Sequence, residues 1–277
     1  MRASLCAAAI AVTACGNASS PGAPRESSAG NQARTAAAPP ARASLLVMTY
    51  NVNYGVAGDA ESLRLIEESG ADVVMLQETN RGWEEALRGA LSHVYQPMAF
   101  LHADRRAGGL GFLSRHPIEL TERRDSPIGW FPAWRAIVDS PIGKVQLINL
   151  HLRPPGRTGG YVRGYFDSQV ERLRETEAYL TLVSKDLPVI LAGDFNEDAR
   201  GRSLQHLISL GFDSVLDRFR PWQPTWRWQT AMGEVRWQLD HIVLTQPLRA
   251  TAAWVVDGGA SDHVPVLARI ERGPDPS

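Results

Sequence analysis

Pro188-Val189-Ile190-Leu191-Ala192-Gly193-Asp194-Phe195-Asn196 decides how this chain is read. Its first half is an unbroken apolar run, the mark of a strand buried on both faces. Its second half turns abruptly small and polar. Gly193 has no Cβ, so the backbone there can approach another group closely. In extended geometry Asp194 and Asn196 point to one face and Phe195 to the other. A carboxylate and an amide leaving a buried strand together suit water or metal binding; they equally suit capping of the following turn.

Working outward, the same pattern recurs. Leu45–Val52 and Asp72–Glu78 read as buried strands with polar ends, Asn51 and Glu78. Lys144–Leu152 ends near His151, and Val235–Leu244, taken as one strand, carries Asp240. Ser261-Asp262-His263 precedes a last strand over Val264–Ile270. Further strands are expected over Val94–Leu101, Gly109–Ser114, Ile118–Thr121, Ala133–Asp139 and Ala252–Val256, with Ser140-Pro141-Ile142-Gly143 as a hairpin turn. Helices are expected over Asp59–Ser69, capped by Asp59 and stopped by Gly70, and over Trp83–Leu91 and Ser203–Leu210. A longer one over Phe166–Ser184 carries Val170, Leu173, Leu180 and Val183 on a helical period. This is a mixed α/β pattern with too few regular βαβ alternations for a barrel.

Carboxylates, amides and histidines at so many strand ends are costly to gather unless they bind a cation or run chemistry. Oxygen ligands predominate and thiolates are absent, which favours Mg²⁺ or Mn²⁺, with Ca²⁺ as the third candidate. Such an ion suits phosphoryl oxygens. The chain has 277 residues and a net charge of −1, so it is no polycation built for nucleic acid.

The N-terminus reads differently. Arg2 and the apolar run Ala3–Val12 form an export signal too short to span a bilayer. Val12-Thr13-Ala14-Cys15-Gly16 resembles a bacterial lipobox, which implies lipidation at Cys15. Residues 16–43, rich in Ala, Pro, Ser and Gly, read as a disordered tether. The expected product is an exported lipoprotein held at a bacterial membrane, periplasmic or on the outer surface. Its folded domain is expected over 44–271, with a short tail over 272–277.

Six motifs occur in order: Tyr50-Asn51-Val52-Asn53, Leu76-Gln77-Glu78-Thr79, Asn149-Leu150-His151-Leu152, Gly193-Asp194-Phe195-Asn196, Leu239-Asp240-His241 and Ser261-Asp262-His263-Val264-Pro265. Together they resemble the endonuclease/exonuclease/phosphatase superfamily of DNase I-like phosphoesterases, which includes neutral sphingomyelinases and inositol polyphosphate phosphatases. The resemblance implies a four-layer α/β sandwich, with two mixed β-sheets face to face and helices outside. It implies a metal held by Glu78, Asn51 and Asp262. Asp194 would orient or deprotonate the attacking water, Asn196 would hold it, His263 backed by Asp240 would serve as base or donor, and His151 would bind a phosphate oxygen. His241 reads as a packed strand residue, Ser261 as a turn former and Asn53 mainly as a turn residue. The Trp222, Trp226, Trp228 and Trp237 cluster reads as wall and core.

The expected activity is metal-dependent hydrolysis of a phosphodiester, on a phospholipid-type substrate or a phosphorylated small molecule. A nuclease is the alternative: His151 stands where abasic-site endonucleases of the exonuclease III type usually have Tyr, and the domain lacks the disulfides of secreted deoxyribonucleases. A silent lipoprotein that only binds a phosphorylated ligand is the alternative of another class. A monomer is expected.

Overall fold

Along the first strand, side chains alternate between two cores. Leu45 and Val47 point into one apolar cluster, Leu46, Met48 and Tyr50 into another. The same period-2 division holds along most of the central strands and builds the layers. The computed structural model describes residues 42–103, 107–156, 161–230 and 233–274. The strands are β1 (Leu45–Asn51), β2 (Val73–Thr79), β3 (Met98–Leu101), β4 (Gly109–Ser114), β5 (Ile118–Arg124), β6 (Ala133–Ser140), β7 (Gly143–His151), β8 (Val189–Asp194), β9 (Asp213–Ser214), β10 (Trp226–Thr230), β11 (Gly233–Trp237), β12 (Asp240–Leu244), β13 (Leu248–Val255) and β14 (Val266–Arg272). The helices are α1 (Ala60–Glu68), α2 (Arg81–Leu91), α3 (Tyr161–Asp167), α4 (Gln169–Tyr179), α5 (Arg202–Ser209) and α6 (Val215–Phe219).

Two six-stranded mixed sheets result, ordered β13-β14-β1-β2-β4-β3 and β5-β6-β7-β8-β12-β9. Each has one parallel pair, β1–β2 or β7–β8, and antiparallel neighbours around it. The parallel pairs need crossovers: α1 carries the chain between β1 and β2, and α3 with α4 between β7 and β8. Inner-face residues of both sheets, among them Val47, Met75 and Phe112 against Leu147, Ile190 and Ile242, form one shared core. The outer face of the first sheet packs on Ile66, Trp83 and Leu87 of α1 and α2; that of the second packs on Tyr179, Leu204 and Leu207 of α4 and α5. This is the expected α/β sandwich with helices outside.

Local signals behave as their chemistry requires. Asp59 accepts the Ser62 N–H at 2.8 Å and caps α1. Ser140 and Gly143 close the β6–β7 hairpin. Three expected elements need correction. The strand over Val94–Leu101 begins only at Met98, because Val94 and Tyr95 donate back to Leu91 in a turn. The strand over Val235–Leu244 is two strands of different sheets: β11 pairs with β10, β12 with β8. The Thr225 hydroxyl makes that corner by accepting the N–H groups of Leu239 and Asp240 at 2.9 and 3.0 Å. The long helix over Phe166–Ser184 is α3, α4 and a 3₁₀ turn over Leu180–Leu182. Val170 is 41 % exposed, while α4 buries Arg172, Glu175, Thr176 and Tyr179. Its buried face is largely polar; of the expected apolar period Val170 faces out, while Leu180 and Val183, beyond the end of α4, pack partly buried on the core. Strand β14 runs one residue past the expected domain end. The signal segment, Cys15 and the tether up to residue 41 lie outside the described residues.

Candidate active site

Toward one edge the inner core turns from apolar to polar. Gln77 Nε2 donates to Thr49 Oγ1 at 3.1 Å and to Asn149 Oδ1 at 2.7 Å, and Asn149 Nδ2 donates to the carbonyls of Leu76 and Gly111 at 3.0 Å. These buried groups satisfy one another across the two sheets, as burial demands. One alternation further out, β1 delivers Asn51, β7 delivers His151 and β8 delivers Asp194 on their inner faces. Register seals the convergence: Asp194 lies opposite His151 on one side and Asp240 on the other. Gly193 makes it possible. It pairs with Leu150, and a Cβ there would sit 1.9 Å from the Leu150 carbonyl oxygen.

Asp194 is the hub. Its Oδ1 accepts the Asn196 N–H at 2.8 Å, and its Oδ2 accepts Asn51 Nδ2 at 3.0 Å. The same Oδ2 lies 3.3 Å from His151 Nε2 and 3.6 Å from His263 Nε2. His263 Nδ1 meets Asp240 Oδ2 at 2.8 Å, and His151 Nδ1 meets the Ala107 carbonyl at 3.2 Å. A carbonyl only accepts, so Nδ1 of His151 carries a proton. All four titratable groups are buried. Burial pulls both imidazoles toward neutrality, but the carboxylates outweigh it: Asp240 and Asp194 push His263 well up, and Asp194 raises His151. Burial likewise raises Asp240, with the nearby Asp194 charge adding to it against His263. Asp194 goes the other way, because His263 and His151 overcome its desolvation and hold it at about 2. Carboxylates facing imidazoles whose pKa values they raise offset part of the cost of burying these groups.

Beside this hub lies an oxygen-rich edge. By alternation with Val74 and Leu76, Glu78 belongs on the outer face of β2. A bulge between Gln77 and Thr79 and a left-handed backbone (φ 59°) turn it inward. Its Oε1 accepts Asn51 Nδ2 at 3.1 Å and its Oε2 the Tyr54 N–H at 3.3 Å. Asn53 joins Asn51 to Asp262: its N–H donates to Asn51 Oδ1 at 3.1 Å, its Nδ2 to Asp262 Oδ1 at 2.9 Å. Trp226 Nε1 donates to the other Asp262 oxygen at 2.9 Å. Among the described residues, three of the four non-glycine positions with positive φ are Asn53, Glu78 and Asn196. Backbone strain of this kind collects where side chains must be aimed. Glu78, Asp262 and Asn51 Oδ1 have lone pairs beyond the bonds they accept, so this all-oxygen set fits a hard cation. Asp194, Asp240 and His263 also bring ligand atoms within 4.8 Å of one another, but those atoms are engaged in the charge pairs just described.

Residues 48–263 match the description of the endonuclease/exonuclease/phosphatase family. The chain belongs to that family. Its members are phosphodiesterases and nucleases that use divalent metals. Among solved structures, an endonuclease/exonuclease/phosphatase from Beutenbergia cavernae is 21 % identical with a TM-score of 0.68, covering 84 % of this chain and 72 % of its own. TDP2 from D. rerio, complexed with single-strand DNA product, is 19 % identical with a TM-score of 0.64, covering 82 % and 99 %. An AP endonuclease from Archaeoglobus fulgidus is 17 % identical with a TM-score of 0.61, covering 81 % and 98 %. At these identities the likeness is one of fold. No curated protein matches the chain.

Within this family member, Asn51, Glu78, His151, Asp194, Asp240, Asp262 and His263 lie in one connected network. Asn196 joins through its backbone N–H, while its Nδ2 donates to the Leu152 carbonyl at 2.9 Å. That carboxamide nitrogen is tied to backbone. His241 is buried with Nε2 on the Glu197 carbonyl at 2.9 Å, a packed strand residue. Ser261 donates its hydroxyl to the Asn51 carbonyl at 2.8 Å and shapes the turn. Arg135 bonds Thr121 and the Leu182 carbonyl. Sequence reasoning missed Trp226 as the partner of Asp262. It also missed Phe131, whose ring stacks on His151 at 4.3 Å and 30°. Only the aromatic run over residues 130–134 and the Trp-rich stretch pointed toward them.

Proposed function

We propose that this protein is a divalent-metal-dependent phosphoesterase that hydrolyses a phosphodiester by attack of water. The observation that carries the reading is the buried Asp194 carboxylate, gripped by two imidazoles and two N–H groups beside the Glu78–Asn51–Asp262 oxygen edge. In this reading Glu78, Asn51 and Asp262 would hold Mg²⁺ or Mn²⁺, which would supply charge neutralisation for a bound phosphate. Asp194, ionised at neutral pH, orients the attacking water and takes up its proton as the new P–O bond forms. His263, flanked by two carboxylates, and His151 donate to phosphate oxygens and supply a proton to the leaving alkoxide as the ester P–O bond breaks. Asp240 fixes the ring orientation of His263.

The apolar run Ala3–Val12 and the Cys15 motif support a setting outside the cytoplasm, on a lipid anchor. An anchored enzyme meets membrane-proximal esters first, so we place phospholipid-type and small phosphorylated substrates ahead. A nuclease is the second reading, favoured by the DNA product bound in the D. rerio TDP2 structure. The test is turnover of bis-p-nitrophenyl phosphate, sphingomyelin, phosphoinositides, RNA and plasmid DNA in Mg²⁺ or Mn²⁺, with Asp194→Asn as control. Metal-dependent turnover absent from the variant is expected. Turnover that survives in Asp194→Asn, or in excess chelator, would overturn the reading.

A further inference from the structure

A helix that packs on a sheet ordinarily buries an apolar stripe. Helix α4 instead buries Arg172, Glu175, Thr176 and Tyr179. Burying a carboxylate and a phenol is unfavourable unless both are satisfied, and here both reach loops that border the candidate active site. Glu175 Oε1 accepts the Ser126 hydroxyl at 2.6 Å, and its Oε2 accepts the Arg153 N–H at 2.8 Å, two residues beyond His151. Tyr179, one turn further along the helix, donates its hydroxyl to the Phe131 carbonyl. Phe131 is the residue stacked on the His151 ring.

His151 has two polar contacts, Ala107 on Nδ1 and Asp194 on Nε2. Both bear on the ring nitrogens, whereas the Phe131 ring, stacked at 4.3 Å, packs on the face of the imidazole and resists its tilting. The Phe131 ring is set by a backbone which Glu175 and Tyr179 hold from behind, at Ser126 and at Phe131 itself. Leucine and phenylalanine at 175 and 179 would fill the same space at lower desolvation cost, but they would leave the Ser126 hydroxyl, the Arg153 N–H and the Phe131 carbonyl without these bonds. We propose that Tyr179 and Glu175 are positioning residues that hold the Phe131 segment and the exit of β7 so that His151 keeps its orientation toward Asp194. The inference rests on the phosphoesterase reading for its consequence in turnover, not for its geometry.

The test uses Tyr179→Phe, Glu175→Gln and Glu175→Leu in the full chain. Three quantities are measured: thermal midpoint, kcat and KM on bis-p-nitrophenyl phosphate, and the NMR shifts of the His151 ring protons, which sense the stacked Phe131 ring. Tyr179→Phe is expected to lower kcat about tenfold, in the range of lost outer-shell support, leave KM unchanged and move the His151 resonances. Glu175→Leu should do the same. Glu175→Gln, which still accepts from Arg153 and can donate to Ser126, should recover most of kcat. A Tyr179→Phe protein that loses only thermal stability, with kcat and His151 shifts of the wild type, would overturn the proposal, as would a rise in KM alone. If Tyr179→Phe does not fold, the two Glu175 variants carry the same comparison: equal kcat and equal shifts in both would overturn it. If the wild type turns over nothing, the phosphoesterase reading fails by itself, and the His151 shifts in the variants still decide this one.

Discussion

Replacing Gly193 by alanine tests fold and site together. The added Cβ would lie 1.9 Å from the Leu150 carbonyl oxygen, whereas real Cβ contacts essentially never fall under 3.0 Å. Strands β7 and β8 must therefore part by at least about 1 Å, at a pair fixed by the parallel ladder and by the Leu152 N–H on the Asp194 carbonyl at 2.8 Å. Two buried ladder groups left poorly paired cost about 1–3 kcal/mol each. A side chain at φ 150° adds about 1–3 kcal/mol of backbone strain. The total of about 3–9 kcal/mol stands against a whole stability of about 5–15 kcal/mol. For a domain of this size each kcal/mol is worth about 2–4 °C, so Tm should fall by at least about 6 °C. The next register pair is His151 with Asp194, and a shift of about 1 Å there should lower kcat about a hundredfold. Thermal unfolding followed by circular dichroism and turnover of bis-p-nitrophenyl phosphate measure the two effects. An alanine variant within about 3 °C of wild type and fully active would refute the close-approach argument and the geometry built on it.

Asp240→Asn removes the charge behind His263 while keeping its size; kcat should drop by a factor of about 10³–10⁴, as when an imidazole loses its orienting carboxylate, and nitrogen NMR of His263 should show its pKa lowered. In the wild type, His263 is raised from 6.5 to about 10, so its pairing supplies stability in full below about pH 6.5 and loses it as pH rises toward 10; urea unfolding across that window should show the decline, and Asp240→Asn should flatten it. Arg172 and Glu197 form an ion pair with both side chains fully buried, so Arg172→Met, which strands the carboxylate, should cost about 3–5 kcal/mol in chemical unfolding, and the double change with Glu197→Gln should recover part of it. Chelation should abolish turnover, and Glu78→Gln should raise the Mg²⁺ concentration needed for half-maximal rate, read by metal titration of activity.

Local composition and period made much of this protein legible. The apolar runs ending at Asn51, His151 and Asp194 follow directly from strand alternation and from the cost of burying polar groups anywhere but at a functional edge. Asp59 as a cap and Ser140–Gly143 as a turn likewise express chemistry within a few residues of chain. What the sequence could not carry was the outcome of competition between distant groups. Alternation assigns Glu78 to the wrong face, because the bulge that re-aims it depends on how β2 pairs with β4, where Gly109 meets Thr79. The apolar continuity of Val235–Leu244 hides a corner, because the Thr225 hydroxyl that makes it lies elsewhere in the chain. Helix α4 shows a partly misleading period, because the partners of its polar face, among them Ser126, Phe131, Arg153, Tyr165 and Glu197, come from other elements. Sequence alone marked the polar residues that end these strands and the order in which the strands present them. Tertiary structure decided which way each one points, because a buried polar side chain takes its direction from the partner that satisfies it.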